Sequence, residues 1–183
     1  LNGFSVGKID AEKHIEGFYD LTCPYSARGF PKIISLPKIY PSVRVTVYIW
    51  PQTWHTGTIA LTKGVFAFHH FNSELVLDFI NEIYQNRSSY TDEETAVKTP
   101  IQIWGELTRF KVFEASGIDA GEFINVANAS SHSHPAVNNL KYHTKYGRQN
   151  SIHVSPTVMM NGLIDNKISS GWSVEKEWKE YLA

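Results

Sequence analysis

The chain has 183 residues, enough to bury a substantial core as one domain or as one domain carrying an inserted subdomain. Hydrophobic residues make up 42% and charged residues 19%, with a formal net charge of −1 at pH 7, so the charge balance makes no electrostatic case for nucleic acid as a partner. No apolar run reaches the roughly 20 residues of a membrane-spanning helix, and the longest apolar stretch, Val43 to Trp50, is already interrupted by Arg44 and Thr46.

Taken in chain order, His14 to Leu21 mixes apolar and polar residues and predicts a short buried strand that runs out at Asp20-Leu21-Thr22. Pro24 suits the first turn of a helix, where the N–H it lacks would be unpaired anyway. That helix is predicted from Pro24 to Leu36, kinked at Pro31 and limited by Pro37 and Pro41. Val43, Val45, Val47 and Ile49 then alternate with Arg44, Thr46, Tyr48 and Trp50, the period-two pattern of a strand, which Pro51 stops.

A long helical stretch follows. Its first segment, Thr56 to His70, carries Ile59, Leu61, Val65 and Phe66. Ser73 is expected to cap a helix whose Leu75, Val76, Phe79, Ile80, Ile83 and Tyr84 form one apolar face. Thr99-Pro100-Ile101-Gln102 combines an N-cap, a first-turn proline and a capping-box partner, and predicts a helix ending near Gly117. Asp119 with Glu122 opens another, and a further helix is predicted from Pro135 to Tyr146 with Gly147 as a left-handed C-cap.

Strand character returns from Ile152 to Met160, turns at Asn161-Gly162 and resumes from Leu163 to Ile168, a hairpin. Ser173 is placed to cap a last helix with Val174, Trp178, Tyr181 and Leu182 on its apolar face. The order β, α, β, several helices, β, β, α predicts an α/β fold. Its two strand-bearing parts would pair into one sheet covered by the first and last helices, with the middle helices standing apart as a lid.

Cys23 is the only cysteine, so a disulfide there must join another molecule. Two glycosylation sequons, Asn86-Arg87-Ser88 and Asn128-Ala129-Ser130, and a start at Leu1 rather than Met suit a processed, secreted or lumenal chain; a cytoplasmic location stays open. His132-Ser133-His134 and His69-His70 lack the cysteine or carboxylate companions of familiar metal sites, and no metal is expected.

Three segments carry a family likeness: Gly17-Phe18-Tyr19-Asp20-Leu21-Thr22-Cys23-Pro24-Tyr25-Ser26-Ala27, then Pro51-Gln52-Thr53-Trp54-His55, then Val154-Ser155-Pro156-Thr157-Val158-Met159-Met160-Asn161-Gly162. Together they resemble the DsbA-like thioredoxin family, in which a strand enters a Cys-Pro-X-X helix, an all-helical domain is inserted and a cis-proline loop precedes the last hairpin. The resemblance implies a thioredoxin-like domain over 1–53 and 150–183 and an inserted helical subdomain over 54–149. The redox members carry a second cysteine at the fourth motif position, where this chain has Ser26. Cys-Pro-Tyr-Ser also resembles the Ser-Pro-Tyr-Ser segment of kappa-class glutathione transferases, which have serine in the place of Cys23.

The candidate catalytic residues are therefore Cys23, Pro24, Tyr25 and Ser26, with Ser155, Pro156 and Thr157 as the substrate-binding loop. A thiol at a helix N-terminus faces unpaired N–H groups and the positive end of the helix dipole, which favour thiolate. Ser26 is expected to donate a hydrogen bond to the sulfur but cannot resolve a mixed disulfide. Release then needs an external thiol such as glutathione, a co-substrate rather than a bound cofactor. Tyr25 is expected to form an apolar wall, Arg28 to lend charge, and Trp54-His55 to pack. The implied partners are protein or small-molecule disulfides and thiols. Three functions compete: a single-cysteine thiol–disulfide oxidoreductase or isomerase, a kappa-type glutathione transferase or isomerase acting on a small electrophile, and a catalytically silent binding protein.

Overall fold

The computed structural model describes residues 3–183. The alternating valines of β3 (Val43–Ile49) sit inside a five-stranded sheet of order β1-β3-β2-β4-β5. β3 lies parallel to β2 (Lys13–Tyr19), antiparallel to β1 (Phe4–Val6), and β2 pairs antiparallel with β4 (Thr157–Met160), which carries the short β5 (Leu163–Ile164). A parallel pair needs a crossover, and α1 (Pro24–Ile39) supplies it, burying Phe30, Ile33 and Leu36. The register Tyr19↔Ile49 brings the C-terminal ends of β2 and β3 to one edge of the sheet. Cys23 and Gln52 follow directly from that edge, where ligand sites of open α/β sheets form.

Between β3 and β4 run α2 (Thr58–Phe71), α3 (Val76–Gln85), a short 3₁₀ turn (Arg87–Tyr90), α4 (Asp92–Ala96), α5 (Pro100–Leu107), α6 (Lys111–Ser116), α7 (Ala120–Ala127) and α8 (Pro135–Gln149). α2 is the hub, with Leu61, Val65, Phe66, Ala67 and Phe68 all buried. Phe68 stacks on Phe79 at 4.1 Å, and Phe113 meets Phe123 edge-on at 4.9 Å. One continuous cluster joins these residues to Ile15, Phe30 and Val45 of the sheet layer. The middle helices therefore share the main core with the sheet instead of standing apart from it. A second cluster (Phe18, Tyr48, Trp50, Ile152 and Met159) is covered by Tyr146 of α8. The chain closes with a π-helical turn (Val174–Trp178) and α9 (Lys179–Leu182), tied to β2 by a hydrogen bond from Lys13 Nζ to Leu182 O.

Several boundaries differ from the sequence expectation, each for a long-range reason. α1 continues through Pro31 and Pro37 to Ile39, since its buried face holds it to the sheet across both prolines. Ser73 is not the cap of α3: the helix begins at Val76, and Asn72 Oδ1 accepts the Leu75 N–H. The capping box at Thr99 and Gln102 is formed, but the helix it opens stops at Leu107. A tight turn follows, and α6 starts afresh because both Glu82 carboxylate oxygens receive its first N–H groups, from Lys111 at 2.8 Å and Val112 at 2.9 Å. Gly147 is no C-cap; it lies within α8, and a Cβ there would come within 2.5 Å of the Trp50 ring.

The expected strand from Ile152 shrinks to Thr157–Met160, and its partner to Leu163–Ile164. The preceding residues loop across the sheet edge toward Cys23. Ser173 occupies the N-cap position without a capping bond from its side chain to the turn; its hydroxyl and N–H bind Glu177 at 2.7 and 2.8 Å. β1 carries too few residues to show alternation and was not anticipated.

Candidate functional site

Cys23 is the N-cap of α1, in extended conformation, and Pro24 follows it in the first turn. Its side chain is 5% exposed, and Sγ donates to the backbone oxygen of Ser155 at 3.4 Å. The Ser155–Pro156 peptide is cis, and the backbone of the loop before β4 faces the thiol. Cys23, Ser155 and Pro156, far apart in sequence, thus converge. Ser155 Oγ is buried with no hydrogen-bond partner among the described residues, an unmet polar group of the kind that costs about 1–3 kcal/mol until something satisfies it. Thr157 Oγ1 turns back to Val154 O at 2.7 Å and faces its own loop.

Ser26 is fully buried, and among the described residues no hydrogen bond joins it to Cys23. Its Oγ accepts the Asp20 N–H at 3.2 Å instead. The expected donation from Ser26 to sulfur is not made because α1 turns this position inward, under the end of β2. Tyr25, by contrast, is 61% exposed and forms part of the rim rather than an inner wall. Arg28 is exposed one turn further along, its guanidinium beside Gly171.

The residue that organises this edge is Asp20, which the sequence marked only as a strand end. It is fully buried, and all five side-chain contacts come from donors. Oδ1 accepts from Thr22 N at 2.8 Å, Thr22 Oγ1 at 2.6 Å and Cys23 N at 3.2 Å. Oδ2 accepts from Gln52 N at 2.6 Å and Thr58 Oγ1 at 2.9 Å. One carboxylate thus fixes the cysteine loop, the exit of β3 and the start of α2. The signal available in the sequence was a lone acid three residues before the cysteine, followed by a threonine; its long-range donors are invisible without the fold.

Trp54 is 60% exposed and does not pack into the core, a correction to its expected role. His55 is held by Asp92, with Nδ1 to Oδ2 at 3.0 Å, and the same carboxylate accepts the Thr56 N–H at 2.9 Å. His70 and His134 lie 5.8 Å apart between ring centroids, and no group of three metal-ligating side chains forms among the described residues. Behind cis-Pro156 a cavity of about 20 Å³, bordered by Tyr19, Lys32 and Ser170, has room for a water and not for a glutathione.

A parallel β2–α1–β3 crossover, a cysteine at the helix start, a cis-proline loop beside it and helices inserted before the final hairpin define the DsbA-like form of the thioredoxin fold. Comparison with solved structures agrees. A protein from Pseudomonas syringae provisionally designated a protein-disulfide isomerase superposes over 100% of both chains with TM-score 0.82 and 28% identity. BdbD from Bacillus subtilis covers 99% of this chain and 91% of its own, with TM-score 0.72 and 16% identity. The thiol-disulfide exchange protein alpha-DsbA2 from Wolbachia pipientis covers 100% and 88%, with TM-score 0.71 and 13% identity. At those last two identities the likeness is one of fold. No protein-family model and no curated protein sequence matches the chain.

Proposed function

We propose that this protein exchanges disulfides through Cys23 alone, with an external thiol such as glutathione completing each cycle. The carrying observation is the placement of the only thiol at the start of α1, in hydrogen-bond contact with Ser155 of the cis-proline loop, while the fourth motif position is a hydroxyl turned away from it. The names given to two structural neighbours, a protein-disulfide isomerase and a thiol-disulfide exchange protein, support disulfide chemistry in general for this fold.

The chemistry balances in two steps. Cys23 thiolate attacks one sulfur of a disulfide, forming a mixed disulfide and expelling the other sulfur as thiolate. An external thiolate then attacks the client sulfur of the mixed disulfide, regenerating Cys23 thiolate and leaving the client joined to the incoming thiol. The enzyme undergoes no net redox change. When the incoming thiol belongs to the same client the outcome is isomerisation; when glutathione enters, the client leaves as its glutathione adduct.

A protein or peptide client fits the surroundings. Tyr25 (61% exposed), Trp54 (60%), Val154 (56%) and Ile59 (49%) present apolar surface on the segments that flank the thiol. Ser155 Oγ would find its missing partner in the bound chain. Incubation with oxidised glutathione followed by intact-mass spectrometry tests the reading. A single glutathione adduct that localises to Cys23, disappears in Cys23→Ser and is released by reduced glutathione is the expected result. A parent protein that acquires no adduct while folded refutes it.

A further inference from the structure

Position 26 is where a dithiol protein of this fold would hold its resolving cysteine, yet the hydroxyl here is committed elsewhere. Asp20 N–H donates to Ser26 Oγ at 3.2 Å, and Tyr84 Oη donates to Asp20 O at 3.0 Å. Both hydroxyls thus bind the backbone of Asp20, one at its N–H and the other at its carbonyl oxygen. Asp20, Ser26 and Tyr84 are all buried, so water does not stand in for a lost member.

These two bonds cross the fold: Asp20 follows β2, Ser26 lies in α1, and Tyr84 belongs to α3 of the inserted helices, where its aromatic ring also packs on Phe30 at 5.1 Å. Asp20 then hands the constraint to the thiol, since its Oδ1 holds Cys23 N at 3.2 Å while Cys23 Sγ reaches Ser155 O on the other side. Burial, then the charge of Asp20, hold the Tyr84 phenol protonated well above its usual range, which keeps it a donor. We infer that Tyr84 is a positioning residue for Cys23, and that the inserted helices thereby set how readily the thiol reacts. This inference rests on the exchange function proposed above.

Two readouts on the full chain test it: the rate of Cys23 alkylation by iodoacetamide, and the equilibrium constant for its mixed disulfide in glutathione redox buffers. Tyr84→Phe deletes one hydroxyl and keeps the ring packing. Freeing one buried hydrogen bond should raise both readouts about 5-fold. Ser26→Ala should give the same rise, the double variant no further rise, and Ser26→Thr, which keeps the hydroxyl, should return toward the parent. Tyr90→Phe, a buried tyrosine of the same insert with no contact to Asp20, should leave both unchanged.

A folded Tyr84→Phe that matches the parent overturns the inference, as does an equal change in Tyr90→Phe or full additivity with Ser26→Ala. Should Tyr84→Phe fail to fold, the contrast of Ser26→Ala with Ser26→Thr decides the question, and equal behaviour of those two overturns it. A parent that alkylates but takes no glutathione defeats the exchange function, while the alkylation series still reports on the bonds that Ser26 and Tyr84 make to Asp20.

Discussion

Two buried acids follow one another along the same stretch of chain, and they are satisfied in opposite ways. Glu16, within β2, is 3% exposed and receives two phenols at Oε1, Tyr146 at 2.8 Å and Tyr48 at 3.4 Å. Asp20, just beyond the strand, receives two donors at one oxygen and three at the other, chiefly from backbone and threonine. The first arrangement fastens α8 over one face of the sheet. The second fixes where the cysteine loop, the end of β3 and α2 meet. A carboxylate closed in by backbone donors holds chain geometry, whereas one held by long aromatic side chains holds a packing interface.

Substitutions can break or sharpen that contrast. The largest effect is expected at Asp20→Asn, because one oxygen becomes an NH₂ group that must face donors whichever way the amide turns. A loss on the order of 3 kcal/mol in urea unfolding, together with altered Cys23 alkylation, is the expected outcome. Gly147→Ala comes next: its Cβ would lie 2.5 Å from the Trp50 ring, and overpacking of this kind costs about 1–3 kcal/mol. It should leave thiol exchange nearly intact, since Trp50 packs in the cluster beside Glu16 and not around Cys23.

Tyr146→Phe removes one phenol from Glu16 and should cost about 1 kcal/mol, again read by urea unfolding. Glu16→Gln should cost least, below about 1 kcal/mol, because a glutamine oxygen can still take both phenols while its NH₂ turns aside. Equal losses at Asp20→Asn and Glu16→Gln would erase the distinction. Alkaline titration adds a finer test. Burial, and then the hydrogen bond to Glu16, push Tyr146 up to about 12. Its contribution to stability is therefore complete below the unfolded value near 10 and is lost as pH rises through about 12. In Tyr146→Phe, stability should fall less steeply across that window than in the parent.

The parts of the site that lie close in sequence were legible in it. The Cys-Pro pair announces a thiol at a helix start, and the alternation of Val43 to Trp50 and the Thr99–Gln102 capping box appear in the structure as strand and box. The role of Ser26 was not legible. A hydroxyl one turn from a thiol suggests a bond to sulfur, but its direction depends on how α1 rolls against β2. Asp20 and Tyr84 were missed as site residues for the same reason, since their partners come from the segment after β3, from α2 and from the residue that follows β2. Ser73 and Gly147 misled because caps and left-handed termini are local propensities, which a carboxamide at Asn72 and the Trp50 ring outweighed.

By itself the sequence determined the order of elements, the single thiol and the absence of a second one, because periodicity, proline placement and cysteine number are properties of neighbours along the chain. Tertiary structure alone decided that the inserted helices share the sheet's core. It also decided that Glu82 starts α6 and that the hydroxyl of Ser26 binds the Asp20 N–H instead of Cys23. Each of these depends on donors and acceptors brought together from distant segments, and buried polar groups must be satisfied by whatever the fold places beside them.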